Sequence, residues 1–248
     1  MASPANPGTS AQPASGTVPK APTPRQFVNF LFYRVPTAWR LLPEEERRRG
    51  KAEFAGVVEE WGTKVHTLPY CLEGLRAETD FMLWRIGSNL EDLQTMGARL
   101  RSTSFGRHLE VVYSYLSMTK RSIYFDKIDP SHPEARLRLY PGKGKFLFVY
   151  PFVKTRDWYK QPAEARQAMM DEHIATGARY PSVTLHTTYS YGLDDQEFVL
   201  AFETDKAEDF LDLVQDLRFS KASGYTLRDT PTFTCLSRPL GEVLDLVG

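Results

Sequence analysis

The chain has 248 residues, and its 31 basic and 31 acidic side chains cancel to a formal net charge of zero at pH 7. This balance gives no electrostatic reason to expect binding to nucleic acid or to an anionic membrane surface. The two cysteines, Cys71 and Cys235, form neither a CxxC nor a zinc-binding pattern, and no apolar run approaches the ~18 residues of a membrane helix. These features favour a reduced, cytoplasmic protein with no membrane span.

The first 24 residues differ in composition from the rest of the chain. They are mostly Ala, Pro, Ser, Thr and Gly, and they lack the apolar core of a signal peptide. Such a segment cannot bury enough apolar surface to offset the entropy lost on ordering. We therefore predict a disordered leader over residues 1–24.

The next part of the chain alternates strand and helix patterns. Trp39 and Pro43 open a helical segment whose first turn carries three glutamates, where acidic side chains suit the positive end of the helix dipole. Ser88 and Glu91 form a capping box for a second helix, which runs through about Leu100. Apolar and aromatic runs predict strands over 26–35, 65–70, 81–86 and 108–118.

The second half of the chain repeats this order. Trp158 and Pro162, spaced as the earlier Trp-Pro pair is, open a helix that runs to about Thr176. Asp205 and Glu208 form the second capping box, ahead of a helix that runs to about residue 217. Strands are predicted over 145–152, 183–189, 197–202 and 225–235.

Order and spacing together indicate an internal duplication. Each half has the order strand, helix, strand, strand, helix, strand, which is the ferredoxin-like plan. We predict an α+β fold in which the duplicated ferredoxin-like units form a dimeric α+β barrel with helices outside. The predicted parts are the leader, an N-terminal half over 25–118, a connector over 119–144 and a C-terminal half over 145–248.

One histidine distinguishes the two halves. The Trp-Pro spacing aligns His173, on the helix of the second half, with Phe54 in the first. An imidazole on a helix opposite a strand tyrosine, Tyr150, is suited to a metal-porphyrin pocket, although a lone histidine at this spacing also fits a structural role. The asymmetry suggests that the second half carries the function.

A series of short motifs runs through the second half in a fixed order. These are Tyr150-Pro151-Phe152-Val153-Lys154, Trp158-Tyr159, Pro162, Met169-Met170, His173, Gly192-Leu193-Asp194-Asp195 and the segment 217–235. In this order the sequence resembles, over residues 25–240, the chlorite dismutase-like haem protein family, which includes the coproheme decarboxylases of bacterial haem synthesis. The resemblance implies a duplicated α+β barrel, assembled as a ring of five, with haem in the C-terminal half.

The resemblance also implies roles for three residues. His173 matches the proximal iron ligand, and a neutral imidazole nitrogen is a natural ligand for haem iron. Tyr150 matches the tyrosine that relays oxidising equivalents to a propionate, although the residues alone fit a core aromatic better. Lys154 matches a basic position near the same propionate, where a cation holds a carboxylate; otherwise it is a solvated lysine at a strand end.

Further pocket residues follow from the same resemblance. Arg138 matches a propionate-binding arginine, with Arg136 as the alternative because the loop before Tyr150 is shorter here. Arg179 and Ser223 resemble further propionate contacts. Trp158 matches a pocket tryptophan, unless it only packs the helix entry.

The strand after His173 decides which chemistry the resemblance favours. Chlorite dismutases place an arginine there, and this strand has none. The distal position falls on Leu185 or on His186, depending on the direction of counting, and only one of two adjacent strand residues faces the pocket. We favour Leu185, since His186 also matches His66 in the half without haem. Chlorite chemistry is thereby disfavoured.

A second departure concerns the residue that orients the axial histidine. The family commonly has a carboxylate in a Thr-Glu-Ala-like stretch, and here lysine, Lys221, occupies that position. Loss of the carboxylate weakens electron donation from the histidine to the iron. This favours an alternative interpretation, a haem b-binding protein with weak peroxidase or chlorite activity.

Three other motifs are interpreted as structural. The segment 141–145 fits neither a P-loop nor a dinucleotide fingerprint and predicts a turn. Asp194 and Asp195 predict a polar turn before a strand, and His132 lies in the connector, from which some decarboxylases supply a distal base.

The leading hypothesis is an enzyme, a coproheme decarboxylase. It converts iron coproporphyrin III to haem b with hydrogen peroxide. A non-haem assembly scaffold on the same barrel is the hypothesis from a different class.

Overall fold

The computed structural model describes residues 24–122, 124 and 137–248. The predicted leader lies outside the described residues except for its last position. The centre of the predicted connector, which includes Arg136 and His132, also lies outside them.

The first half follows the predicted order. Helix α2 starts directly after Pro43, whose extended backbone cannot continue a helix in the N-terminal direction, and three glutamates occupy its first turn. The elements are β1 (Phe27–Arg34), α1 (Thr37–Arg40), α2 (Glu44–Glu60), β2 (Val65–Cys71), β3 (Phe81–Gly87), α3 (Leu90–Ser102) and β4 (Glu110–Met118).

The second half repeats this order and adds elements at its end. Helix α5 starts after Pro162 as α2 starts after its proline. The elements are β5 (Phe146–Lys154), α4 (Arg156–Lys160), α5 (Ala163–Gly177), β6 (Thr184–Tyr189), β7 (Phe198–Thr204), α6 (Ala207–Arg218), a 3₁₀ turn (Lys221–Tyr225), β8 (Thr226–Arg228), β9 (Phe233–Ser237) and α7 (Leu240–Leu246). The split of the last predicted strand and the final helix α7 were not predicted.

All strand pairs are antiparallel, and they form one sheet with the order β7-β6-β4-β1-β3-β2-β9-β5-β8. A further pairing between β7 and β5 closes the sheet on itself. The first half contributes β4-β1-β3-β2, and the second contributes β9-β5-β7-β6 in the matching order. The predicted α+β fold with duplicated ferredoxin-like units is therefore confirmed.

The join between β4 and β6 is made mostly by side chains. The backbones pair only at Met118 and Tyr189, and beyond that point Asp194 Oδ2 accepts a hydrogen bond from Leu116 N at 2.7 Å. Ser190 Oγ donates to Leu116 O at 2.8 Å. Asp194 thus serves a turn that completes the sheet, as the sequence indicated.

In both predicted capping boxes, the residue expected to cap the helix does not do so. Helix α3 is capped by Asn89, whose side chain accepts from Glu91 N at 2.9 Å, so Ser88 lies one residue too early. Asp205 accepts a hydrogen bond from Lys145 N at 2.8 Å, and helix α6 follows Lys206 without a side-chain cap. The carboxylate that resembled a cap joins two strand ends instead.

The sheet separates two apolar compartments in the first half. Its enclosed interior is filled by side chains of both halves, among them Phe30, Trp84, Leu147 and Phe233. Its outer face is filled by a second cluster against α2 and α3. Within the described residues, no helix combines the length and apolarity that crossing a membrane requires.

The duplicated helices α2 and α5 give a matched pair of substitutions. Phe54 is fully buried among aromatic rings, so Phe54→Ala is expected to lower the free energy of unfolding by about 3–5 kcal/mol. His173 is the counterpart of Phe54, and its helix α5 has no buried residue. His173→Ala in the ligand-free protein is therefore expected to change the free energy of unfolding by less than about 1 kcal/mol. Urea unfolding at pH 7 measures both, and comparable losses would show that the two halves are equally well packed.

Candidate functional site

The helix-covered face of the second half is much less filled than its counterpart. Helix α2 buries Gly50, Phe54 and Val57, whereas α5 buries no residue. The cluster of buried side chains on this face consists of Phe148, Phe202, Phe210 and Leu213. Space between α5 and the sheet is therefore where the second half can enclose a ligand.

His173 lies on α5 and carries an enclosed nitrogen with nothing to bond. Its Nδ1 has no hydrogen-bond partner among the described residues. Burial, and secondarily the charge of Lys154, lowers the pKa of His173 to about 4. The imidazole is therefore neutral at pH 7 and keeps a lone pair for a metal. A neutral, half-buried imidazole fits an axial ligand for haem iron.

Lys154 ends β5 and points toward the turn that follows α6. Its Nζ donates to Ala222 O at 2.7 Å and lies 4.6 Å from the centroid of the Trp158 ring. Burial lowers the pKa of Lys154 to about 8, although the Glu197 carboxylate opposes this shift. The alternative of a solvated lysine is wrong. Among the described residues no hydrogen bond links its ammonium to Tyr150, and its charge acts on His173.

Trp158 is buried at the entry to α5. It is 3% exposed, and its ring packs against Tyr225 with the centroids 5.5 Å apart. Trp39, its counterpart, packs in the same way against Phe105. Trp158 thus packs the helix entry, and its role as a pocket tryptophan stays a prediction.

Tyr150 lies on the pocket face of β5. Its ring stacks on Phe202 with the centroids 5.8 Å apart and the planes 18° apart. Burial raises the pKa of Tyr150 well above its usual range, the Asp229 carboxylate raises it further, and Arg218 opposes them. The phenol is therefore protonated at neutral pH and is held in one orientation by the stacked ring.

Arg218 and Asp229 were not singled out in the sequence. They form an ion pair with each other, and both act on the Tyr150 hydroxyl. The only sequence signal was their position in the 217–235 segment. They come together because α6 ends close to the turn after β8, which the order of elements alone does not reveal.

The two candidates on β6 face opposite sides of the sheet. Leu185 packs with the cluster that contains Tyr150 and Phe202. His186 faces the sheet interior, where its Nε2 lies 2.8 Å from Glu203 Oε2 and its ring packs edge-on against Trp84. The inclusion of His186 among the pocket residues is corrected, because adjacent strand residues alternate between the two faces.

The remaining candidates lie around the pocket or away from it. Arg179 follows α5 and donates to Asp216 Oδ2 at 2.8 Å. Ser223 lies in the 3₁₀ turn next to Ala222. Arg138 is exposed, and within the described part of the chain no contact joins it to Tyr150.

The arrangement suits a flat metal chelate better than a bare metal ion. The helix α5 carries one neutral imidazole, the neighbouring strand surface is apolar and aromatic, and the described residues contain no group of three or more His, Cys, Asp or Glu side chains placed to hold a metal. Guanidinium groups, Arg179 and Arg218, flank the face and can pair with carboxylates.

Comparison with known proteins agrees with this geometry. The chlorite dismutase family model matches residues 47–238. A coproheme decarboxylase of Mycolicibacterium smegmatis is 37% identical over 186 residues, which are 74% of this chain and 77% of that protein.

Solved structures give the same result. Chlorite dismutase from Candidatus Nitrospira defluvii, in complex with imidazole, is 30% identical and has a TM-score of 0.82 over 90% of this chain and 95% of its own. A heme-binding protein from Thermus thermophilus has the same fold at 24% identity, with a TM-score of 0.81 over 90% and 94% of the two chains. The chain belongs to the chlorite dismutase family.

Proposed function

We propose that the chain binds iron coproporphyrin III through His173 and uses hydrogen peroxide to convert two of its propionates to vinyl groups, giving haem b. The observation that carries the proposal is a neutral imidazole, His173, on a helix that buries no residue, over the half of the sheet whose helix-covered face carries the stacked phenol of Tyr150. The relative from Mycolicibacterium smegmatis, a coproheme decarboxylase by name, supports the reaction. A ring of five and a cytoplasmic location stay predictions.

The reaction sets the requirements on the chain. Each propionate loses CO₂, a proton and two electrons, and each peroxide takes two electrons and two protons to give two waters. The bound iron porphyrin supplies the redox chemistry that makes peroxide an oxidant. The protein has to hold the iron, place a propionate beside a redox-active side chain and keep that side chain protonated until it reacts.

Tyr150 meets the last requirement. A phenol is protonated at neutral pH, and burial raises the pKa of Tyr150 further, so that oxidising it requires both an electron and the proton to leave. Stacking on Phe202 fixes the direction in which Oη points. We assign to Tyr150 the transfer of the oxidising equivalent to the propionate.

Lys154 and the arginines take separate roles in this proposal. Lys154 positions the 3₁₀ turn against α5 through Ala222 O, and its charge adds to the effect of burial in lowering the pKa of His173. Arg218 acts on Tyr150 and is assigned to the reacting propionate. Arg138, Arg179, Ser223 and Trp158 stay proposed contacts for the other propionates and the ring.

Tyr150→Phe tests the central assignment. The variant keeps the stacked ring and is expected to bind iron coproporphyrin III as the parent does, but to lose decarboxylation by about two orders of magnitude or more. Liquid chromatography and mass analysis of the porphyrin after peroxide addition measure the loss of CO₂. The matched control is Tyr140→Phe, at an exposed tyrosine, which should turn over normally. Normal turnover by Tyr150→Phe would refute the relay.

A second candidate function is a haem b-binding protein with weak peroxidase or chlorite activity. The observation that favours it is the unbonded Nδ1 of His173, because an axial histidine without an acceptor donates less electron density to iron. Tight haem b binding together with unchanged coproheme after peroxide would select this candidate.

Lys221→Glu tests whether the missing acceptor limits the site. Lys221 is exposed at the start of the 3₁₀ turn, and a carboxylate there can supply the acceptor that the family commonly has. We expect a higher iron–histidine stretching frequency, a lower reduction potential and about tenfold tighter porphyrin binding. Resonance Raman spectroscopy of the ferrous complex measures the iron–histidine stretching frequency. Lys206→Glu, at an exposed lysine before α6, controls for the change in charge.

A further inference from the structure

A second tyrosine group lies at the Lys154 end of β5. Tyr159 Oη donates to Glu197 Oε2 at 2.6 Å, and the hydroxyls of Tyr159 and Tyr191 are 2.7 Å apart. Glu197 is 7% exposed, whereas Tyr191 is 44% exposed. The three side chains form a continuous hydrogen-bonded line from a buried carboxylate to the protein surface.

The direction of the hydrogen bonds follows from the number of protons. Each phenol carries one proton, and Tyr159 gives its own to Glu197, so the bond between the phenols must be donated by Tyr191. Glu197 also accepts from Lys154 N at 2.8 Å and from Arg156 at 3.5 Å. All of these contacts use Glu197 as the acceptor, so the Tyr159 proton is directed at a carboxylate oxygen that can receive it.

This group is next to the candidate pocket. Lys154 joins the two sites, because its backbone N–H bonds Glu197 while its ammonium acts on His173. The ammonium also lies over the Trp158 ring. A cation there disfavours a positive charge on the indole, so that an oxidising equivalent reaching this end of the pocket is more stable on the adjacent Tyr159.

We propose that Tyr159, Tyr191 and Glu197 form a site of one-electron oxidation by which surplus oxidising equivalents leave the pocket for the surface. The proposal rests on the proposed function, in which peroxide and the bound porphyrin supply the oxidant. It assigns to the chain a second redox-active tyrosine, separate from Tyr150, which reacts when no propionate is in place to be oxidised.

The steps balance for one oxidising equivalent. Tyr159 gives one electron to the oxidised pocket and its phenolic proton to Glu197, which leaves a neutral Tyr159 phenoxyl radical and a protonated carboxyl group. A hydrogen atom then moves from Tyr191 to Tyr159, so that Tyr159 is restored and the radical lies on Tyr191. A reductant in solution gives Tyr191 one electron, and Glu197 returns one proton through Tyr159.

Other tyrosine–carboxylate pairs in the described residues lack one of these properties. Tyr180 bonds Asp216 and Tyr113 is 3.3 Å from Glu78, but arginines lie 2.8 and 2.6 Å from those carboxylates, against 3.5 Å between Arg156 and Glu197. Tyr70 is 3.3 Å from Glu203, but its side chain is fully buried and reaches no surface. In this part of the chain, only the Tyr159 pair is extended by a second phenol to the surface.

The test uses the apoprotein, so that its result does not depend on porphyrin chemistry. Flash-generated tris(bipyridine)ruthenium(III) oxidises the protein in the presence of the spin trap 2-methyl-2-nitrosopropane, and peptide mass analysis locates the adducts. Tyr140 is the reference, because it is 69% exposed and has no carboxylate partner in the described structure. We expect more label on Tyr191 than on Tyr140.

Substitutions separate a relay from simple exposure. Tyr159→Phe and Glu197→Gln are each expected to lower the label on Tyr191 roughly tenfold, the effect of losing one charge-assisted hydrogen bond, without changing Tyr140. Tyr191→Phe, which leaves the Glu197 contacts in place, is expected to move the label to Tyr159. If the amount of adduct depended only on how exposed each tyrosine is, with more on Tyr140 than on Tyr191 in the parent and in every variant, the proposal would be overturned.

The porphyrin-loaded protein provides the link to the pocket. With hydrogen peroxide and haem b in place of coproheme, the same adducts on Tyr191 and Tyr159 are expected, and labelling elsewhere would overturn the exit route. Coproheme turnover is assayed separately, so failure of the decarboxylase proposal and failure of this one give different results.

Discussion

Strand β5 pairs with β7 through seven successive residue pairs, from Phe146 opposite Thr204 to Phe152 opposite Phe198, and β9 and β8 bond its other edge. With neighbours on both sides, the strand cannot slip by one residue without breaking the whole ladder. Successive side chains of β5 therefore alternate between two fixed faces of the sheet. Leu147 and Val149 fill the sheet interior, and Tyr150 faces the helices. The placement of Tyr150 and Lys154 in the candidate site depends on this register.

The same constraint explains how one half can leave space for a ligand. The first half fills its outer face with Phe54, Phe81 and Phe105, whose rings contact one another at the position where the second half has His173. Because both halves share one closed sheet, the packed half supports the strands of the open one. A ligand bound beneath α5 then adds stability in proportion to its affinity, since it binds only the folded chain.

The sequence predicted the features that local patterns control. The prolines before α2 and α5, the strand runs and the order of elements are encoded within short windows, and they predicted the α+β fold correctly. Counting back from Gly192 favoured Leu185 over His186, and Leu185 does lie on the helix-covered face of β6, but the residues themselves left both open. Strand alternation decides such a question only after the register is known.

Long-range partners account for what the sequence did not reveal. Asp205 resembled a helix cap, but its carboxylate bonds Lys145 across the join of two strands. Lys154 matched a propionate-binding position, yet its ammonium bonds Ala222 O, 68 residues away. Asp229 was inconspicuous in a polar segment, and it acquires importance only because α6 ends beside β8. Neither a sequence period nor a local motif indicates contacts between residues so far apart in the chain.

The two tyrosine sites differ in one physical respect, which is the fate of the proton. Among the described residues Tyr150 has no carboxylate hydrogen bond, so oxidising it requires that the proton go to a group outside the fold, which in the proposed reaction is the substrate. Tyr159 has Glu197 at 2.6 Å, so in the proposed relay its proton goes to the protein itself. Taken together, the two proposals give one tyrosine that directs an oxidant to the propionate and a second that discharges it when the propionate is absent.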